Sequence, residues 1–140
     1  MAYARLNESG TAFEEQRDLM QGTEVLDGGG TVAADRAGNV YVAWHAMKAG
    51  GKRGEQHRQL WVTRSTDEGK TFAPEVPAWT KPTGACACCS TRAFADSKGY
   101  VYLLYRSAEA EVNRDMYLLT SNDEGEGLQG TVLHKWRVPG

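Results

Sequence analysis

Hydrophobic positions along this chain fall in short runs, each closed by a cluster of Gly, Asn, Asp or Ser, and none sustains a helical period over three turns. Residues 31–34 are small or β-branched, residues 35–39 (Asp-Arg-Ala-Gly-Asn) read as a turn, and residues 40–46 are β-branched and aromatic. The stretch therefore reads as a hairpin. A glycine-rich, basic loop at 48–57 precedes a third strand at 59–65, in which Leu60, Val62 and Arg64 alternate with Trp61 and Thr63. A turn at 66–70 leads into a fourth strand at 71–78. Residues 91–95, 100–106 and 115–121 repeat the first three strands. A helix is conceivable at 14–20, but the register of the repeat favours strand there.

The pattern recurs. Arg64, Gly69 and Phe72 lie 59 positions after Arg5, Gly10 and Phe13, and a third copy of the turn, from Ser121 to Gly125, follows the second by 56. Independently, Asp35-Arg36-Ala37-Gly38-Asn39-Val40-Tyr41-Val42 matches Asp96-Ser97-Lys98-Gly99-Tyr100-Val101-Tyr102-Leu103 at an offset of 61. A four-stranded unit with such a period is the sign of a propeller blade; an antiparallel sandwich does not require equal spacing of the same turn chemistry. The fold class is all-β, a propeller segment of two to three four-stranded antiparallel blades forming one domain over 1–140. The units fall at 1–26 (partial), 27–82 and 83–140 (incomplete). At this period 140 residues make about 2.4 blades, whereas a closed ring of four to eight needs roughly 240 to 470 residues. Missing blades or self-association are expected to complete it.

The run Ser65-Thr66-Asp67-Glu68-Gly69-Lys70-Thr71-Phe72 resembles the Asp-box, Ser-x-Asp-x-Gly-x-Thr-Phe/Trp, at every defining position. That box, the bacterial neuraminidase repeat, is similar to those of the six-bladed propellers of the sialidase superfamily and also occurs in propellers that are not sialidases. The stretches Leu26-Asp27-Gly28-Gly29-Gly30-Thr31-Val32-Ala33-Ala34-Asp35 and Gly84-Ala85-Cys86-Ala87-Cys88-Cys89 resemble those of bacterial exo-sialidase-like proteins. The box itself is a structural device: Asp67 accepts backbone N–H groups, Gly69 takes a positive φ, and Phe72 anchors the turn.

In an up-and-down blade, alternate connections share an end. The tight turns at 35–39, 66–70 and 96–100 fall on one face. The longer segments at 27–30, 46–58, 81–90 and 107–114 fall on the other, which is the candidate functional face. Asp27 and Cys88 occupy equivalent positions there, 61 apart. The resemblance implies exo-glycosidase chemistry with no cofactor: three arginines for a sugar carboxylate, a tyrosine nucleophile assisted by a glutamate, and an aspartate acid/base. Arg92 and Arg106 are placed as carboxylate ligands, which suits paired guanidinium donors, and Asp27 as the acid. An Arg-Ile-Pro motif is absent, and no Glu–Tyr pair is assignable. The alternatives are a non-catalytic module that binds a glycan, another small ligand or a protein at the channel mouth, and an exported metal- or redox-linked propeller that uses Cys86, Cys88, Cys89 and His45. The resemblance further implies an exported or periplasmic protein.

Charge narrows the partners. Sixteen Lys and Arg against 18 Asp and Glu leave a net charge of -2, which gives no footprint for nucleic acid, and no apolar run has the length of a membrane helix. The start of the chain, Met-Ala-Tyr-Ala-Arg-Leu-Asn-Glu, lacks the regions of a secretory signal. Cys86, Cys88 and Cys89 lie within four residues, with His45 and His57 on a neighbouring segment. Three readings stand for them: a soft or borderline metal site, a disulfide with one thiol over, or reduced cysteines filling a small loop. Trp44, Trp61 and Trp79 suit packing between blades, or for one of them a sugar platform.

Overall fold

The computed structural model describes residues 1–121 and 127–137. Among the described residues, ten strands form two four-stranded antiparallel sheets and one short ladder. Sheet one is the meander β3 (Thr23–Ala34), β4 (Val40–Lys48), β5 (Gln59–Ser65) and β6 (Val76–Pro77). Sheet two is β7 (Arg92–Ala95), β8 (Val101–Arg106), β9 (Met116–Ser121) and β10 (Gln129–His134). The ladder pairs β1 (Ala2–Tyr3) with β2 (Arg17–Asp18), so the 14–20 stretch carries strand and no helix.

The registers carry the repeat into three dimensions. Thr31 faces Ala43 and Ala34 faces Val40 in sheet one; 61 residues on, Arg92 faces Leu104 and Ala95 faces Val101 in sheet two. Ala2 pairs with Asp18 and Tyr3 with Arg17, while 59 residues on, Trp61 pairs with Pro77 and Val62 with Val76. The N-terminal hairpin thus has the register of the outer half of another unit. Two strands depart from expectation. β3 begins at Thr23 rather than 31 and is bulged on both sides of Asp27. The fourth strand shrinks to Val76–Pro77, because Pro74 lacks an N–H and the preceding residues are spent on closing the turn. β10 supplies a fourth strand in the second unit where only three were expected.

The turn at 65–72 shows why its residues are needed. The Asp67 carboxylate accepts Ser65 Oγ at 2.6 Å, Thr71 Oγ1 at 2.6 Å and Thr71 N at 2.8 Å, while Gly69 N donates to Ser65 Oγ at 2.9 Å. These bonds hold the Asp67 carboxyl far below the usual carboxylate range, Ser65 first among them. Gly69 has φ +79°, and a Cβ on it would stand 2.1 Å from the Tyr3 hydroxyl. Phe72 meets Tyr3 edge-on at 4.8 Å, which joins this turn to the N-terminal hairpin. In that hairpin Asn7 Oδ1 takes over the role of the aspartate, accepting Thr11 N at 3.0 Å. Most of the third copy of the turn, residues 122–126, lies outside the described residues.

Two apolar clusters flank sheet one. On one side Ala43, Leu60 and Val62 pack with Leu103, Tyr105, Tyr117 and Leu119 of sheet two. On the other, Val40, Val42, Trp44, Ala46 and Trp61 meet Leu19, Met1, Tyr3 and Phe72. Every residue from Val40 to Met47 is buried, which explains an apolar run broken only by His45 in a strand covered on both faces. Burial of each large side chain here contributes roughly 1.5–3 kcal/mol. The two sheets are also stitched at their inner strands, where Ala93 N donates to Thr31 Oγ1 at 3.0 Å.

Candidate functional site

The ends of the two meanders differ in kind. One end is closed by the tight turns, and the other gathers the long segments that begin at Asp27, Ala49, Ala78 and Ser107. Main-chain bonds tie these segments together: Ala85 N donates to Glu55 O at 3.1 Å, Ala108 N to Thr83 O at 3.1 Å and Cys86 N to Arg106 O at 2.9 Å. Glu55 is the side-chain hub, accepting Ala87 N at 2.9 Å and pairing with Arg114 at 2.7 Å. Burial works against its ionised form, but these donors outweigh it and its carboxyl sits below the usual range. Gly28, at φ +74°, lies directly on the cysteine loop; a Cβ there would stand 2.4 Å from Ala87 O and 3.0 Å from His45 Nδ1. That approach explains a glycine at this point of β3.

Asp27 is exposed at the bulge. Its carboxylate accepts Gly28 N at 2.8 Å and pairs with the buried Arg58 at 3.0 Å. Arg106 ends β8, donating to Arg114 O at 3.3 Å and approaching Cys89 Sγ at 3.6 Å, with its guanidinium 4.7 Å from the Trp136 ring centre. Arg92 is exposed on β7 and donates to Thr91 O at 2.9 Å. Arg92 faces Leu104, and Arg106 is two residues further along the same strand. The two arginines therefore stand on one face of sheet two. Arg106 reaches the cysteine loop at Cys89 whereas Asp27 is held by Arg58, and among the described residues no hydrogen bond or ion pair joins Asp27 to Arg92 or Arg106.

His45 pairs across the ladder with Asp27 and is wholly buried, with no hydrogen-bond partner on either ring nitrogen among the described residues. Burial, reinforced by the Arg58 charge and opposed by Asp27, lowers its pKa and keeps the ring neutral. The three cysteines are free thiols: Cys86 is buried, Cys89 half-buried and Cys88 exposed. Cys86 Sγ lies 3.3 Å from Cys88 Sγ and 3.2 Å from Cys89 Sγ, and the last two are 3.8 Å apart. Burial pushes the Cys86 thiol up to about 12, with its bonds to Cys89 and Cys88 adding to the rise. Burial also acts upward on Cys89, but bonds from Cys86 and Arg106 overcome it and leave that thiol below its ordinary value.

Arg58, Glu55 and Arg114 were not legible in the sequence as site residues. They sit in polar loops without a spacing rule, and the only signal is the density of charge between Lys48 and Arg58. Tyr105, the tyrosine nearest the loops in β8, bonds Thr83 Oγ1 at 2.6 Å, and burial pushes its pKa up to about 12. It is a core residue. Among the described residues no Glu–Tyr hydrogen bond is present at this end. A cleft of about 500 Å³ opens at the opposite end, lined by Tyr41, Arg64, Thr66, Pro77 and Leu128. It reaches the loop segments only at Ala78, and Arg64 is the charged residue in its walls, so chemistry rather than volume marks the loop end.

The comparisons with known proteins agree on fold. A solved structure of a Hadza microbial sialidase is similar to this chain with a TM-score of 0.68 and 16% identity, over 97% of this chain and 31% of that one. A protein of unknown function from Dyadobacter fermentans is similar with a TM-score of 0.54 and 16% identity, over 79% of this chain and 36% of that one. The chain thus spans about a third of the length of these structures. No family model matches, and no curated protein matches. At this identity the likeness is one of fold: two four-stranded antiparallel sheets that coincide with part of a sialidase structure.

Proposed function

We propose that this chain is a segment of a sialidase-like propeller whose loop end binds an acidic sugar, with exo-glycosidase hydrolysis as its chemistry. The observation that carries this reading is the convergence of three loops beside Arg106 at the end of β8, with Asp27 at the bulge of β3, at one end of a fold shared with part of a sialidase. Arg92 and Arg106 supply guanidinium donors on one sheet face for the sugar carboxylate, and Asp27 is the acid. The opposite face of sheet two is filled by sheet one, whereas the face bearing Arg92 leaves Phe94 exposed and Tyr102 and Leu104 half-buried. In this reading a further blade or a second copy packs against Phe94 and Tyr102, further from the loop end than the two arginines.

A non-catalytic binding module is favoured by one feature: the Asp27 carboxylate is engaged by the buried Arg58. Turnover separates the two readings. The protein is expected to release fluorophore from a fluorogenic sialoside, and Arg106→Ala and Asp27→Ala to lower kcat/KM at least tenfold. Absence of turnover across the pH range, with saturable sugar binding, leaves the binding module in place and removes hydrolysis.

A further inference from the structure

The cysteine loop is not used by a sugar site, yet its geometry is specific. Cys86, Cys88 and Cys89 turn within four residues so that all three sulfurs converge, each within 3.8 Å of the other two. A tetrahedral ion bound at about 2.3 Å from each sulfur needs sulfurs about 3.8 Å apart. One pair already stands at that distance, and the two pairs that involve Cys86, at 3.3 and 3.2 Å, need to open by about half an ångström. The loop is also held in place. Ala87 N is fixed by Glu55, Cys86 N by Arg106 O, and Gly28 packs on the carbonyls of Ala87 and Cys89. Cys88 is exposed, which opens a route from solvent to the buried Cys86. A cation nearby suits a site with excess negative charge: the Arg106 guanidinium lies 3.6 Å from Cys89 Sγ.

Cysteines that merely fill space behave as small apolar side chains and have no reason to bring an exposed sulfur against a buried one. Three sulfurs around one point, with no acidic side chain among them, form a soft donor set. We propose that Cys86, Cys88 and Cys89 form a three-thiolate site for a thiophilic d10 cation, either Cu(I), which three sulfurs satisfy alone, or Zn²⁺ with water in the fourth position. On binding, each sulfur exchanges its proton for a bond to the ion, so up to three protons are released per ion and uptake strengthens with rising pH.

The test uses protein purified reduced and without oxygen, titrated separately with Cu(I) and Zn²⁺ against a colorimetric chelator of each. One equivalent per chain is expected for at least one ion, with sulfur neighbours in its X-ray absorption spectrum. Cys88→Ser, at an exposed position, is expected to weaken binding about 100-fold or more, beyond the loss usual for a residue that only orients a ligand. The metal-free variant should melt with the parent. Cys89→Ser should behave likewise. Binding well below one equivalent for both ions, affinity unchanged by Cys88→Ser, a shell of only nitrogen and oxygen, or a disulfide persisting under reducing conditions would each overturn the proposal.

Discussion

At the scale of single residues, the turns are chemistry spent on closure. Ser65, Asp67 and Thr71 satisfy one another and the backbone within eight residues, and Gly69 lets the chain reverse under the Tyr3 hydroxyl. Gly69→Ala places a side chain at φ +79° and against Tyr3, so it is expected to destabilise the protein by about 1 kcal/mol or more. Thermal unfolding checks this, and an unchanged midpoint would show that the turn carries no strain to lose. These residues were legible in the sequence because each turn is local: its donors and acceptors lie within a few positions of one another. Arg58 and Glu55 were not, because their partners Asp27, Ala87 and Arg114 come from segments 31 or more positions away.

At the scale of elements, β4 shows what a strand gains from two covered faces, and β3 shows what the repeat did not foretell. The inner half of β3, from Gly30 to Ala34, follows the register expected from its counterpart, but its first half carries a bulge on each side of Asp27, and Gly28 beside it lies on the cysteine loop. Bulges leave no period in a sequence. The entry of β3 is fixed by Glu75, which precedes β6 and accepts Gln21 N at 2.9 Å, Gly22 N at 2.8 Å and Thr23 Oγ1 at 2.9 Å. Burial alone would raise its pKa, but these donors bring it below the ordinary carboxylate value. Its stabilisation is therefore fully present above pH 4.5, its unfolded range, and is lost as pH falls through the lower folded value. Glu75→Gln keeps an acceptor but no charge, so its unfolding midpoint should fall less steeply than the parent's on acidification below that pH. Parallel curves for the two proteins would place the acid sensitivity elsewhere.

At the scale of the whole molecule, the repeat sets two four-stranded sheets side by side and leaves their loops at one end. The architecture was readable because strand length, turn chemistry and spacing agree with one another. The site was readable only in part, since a functional end is assembled from irregular segments that share nothing but their place in space. Arg92 and Arg106, standing on one sheet face beside those segments, are the groups on which the account of an acidic ligand turns. Calorimetric titration of the protein with a free sialic acid tests that account most directly. One saturable site per chain is expected, weakened about tenfold or more in both Arg92→Ala and Arg106→Ala by loss of a charged donor to the carboxylate. Absence of binding, or binding that neither substitution changes, would contradict it.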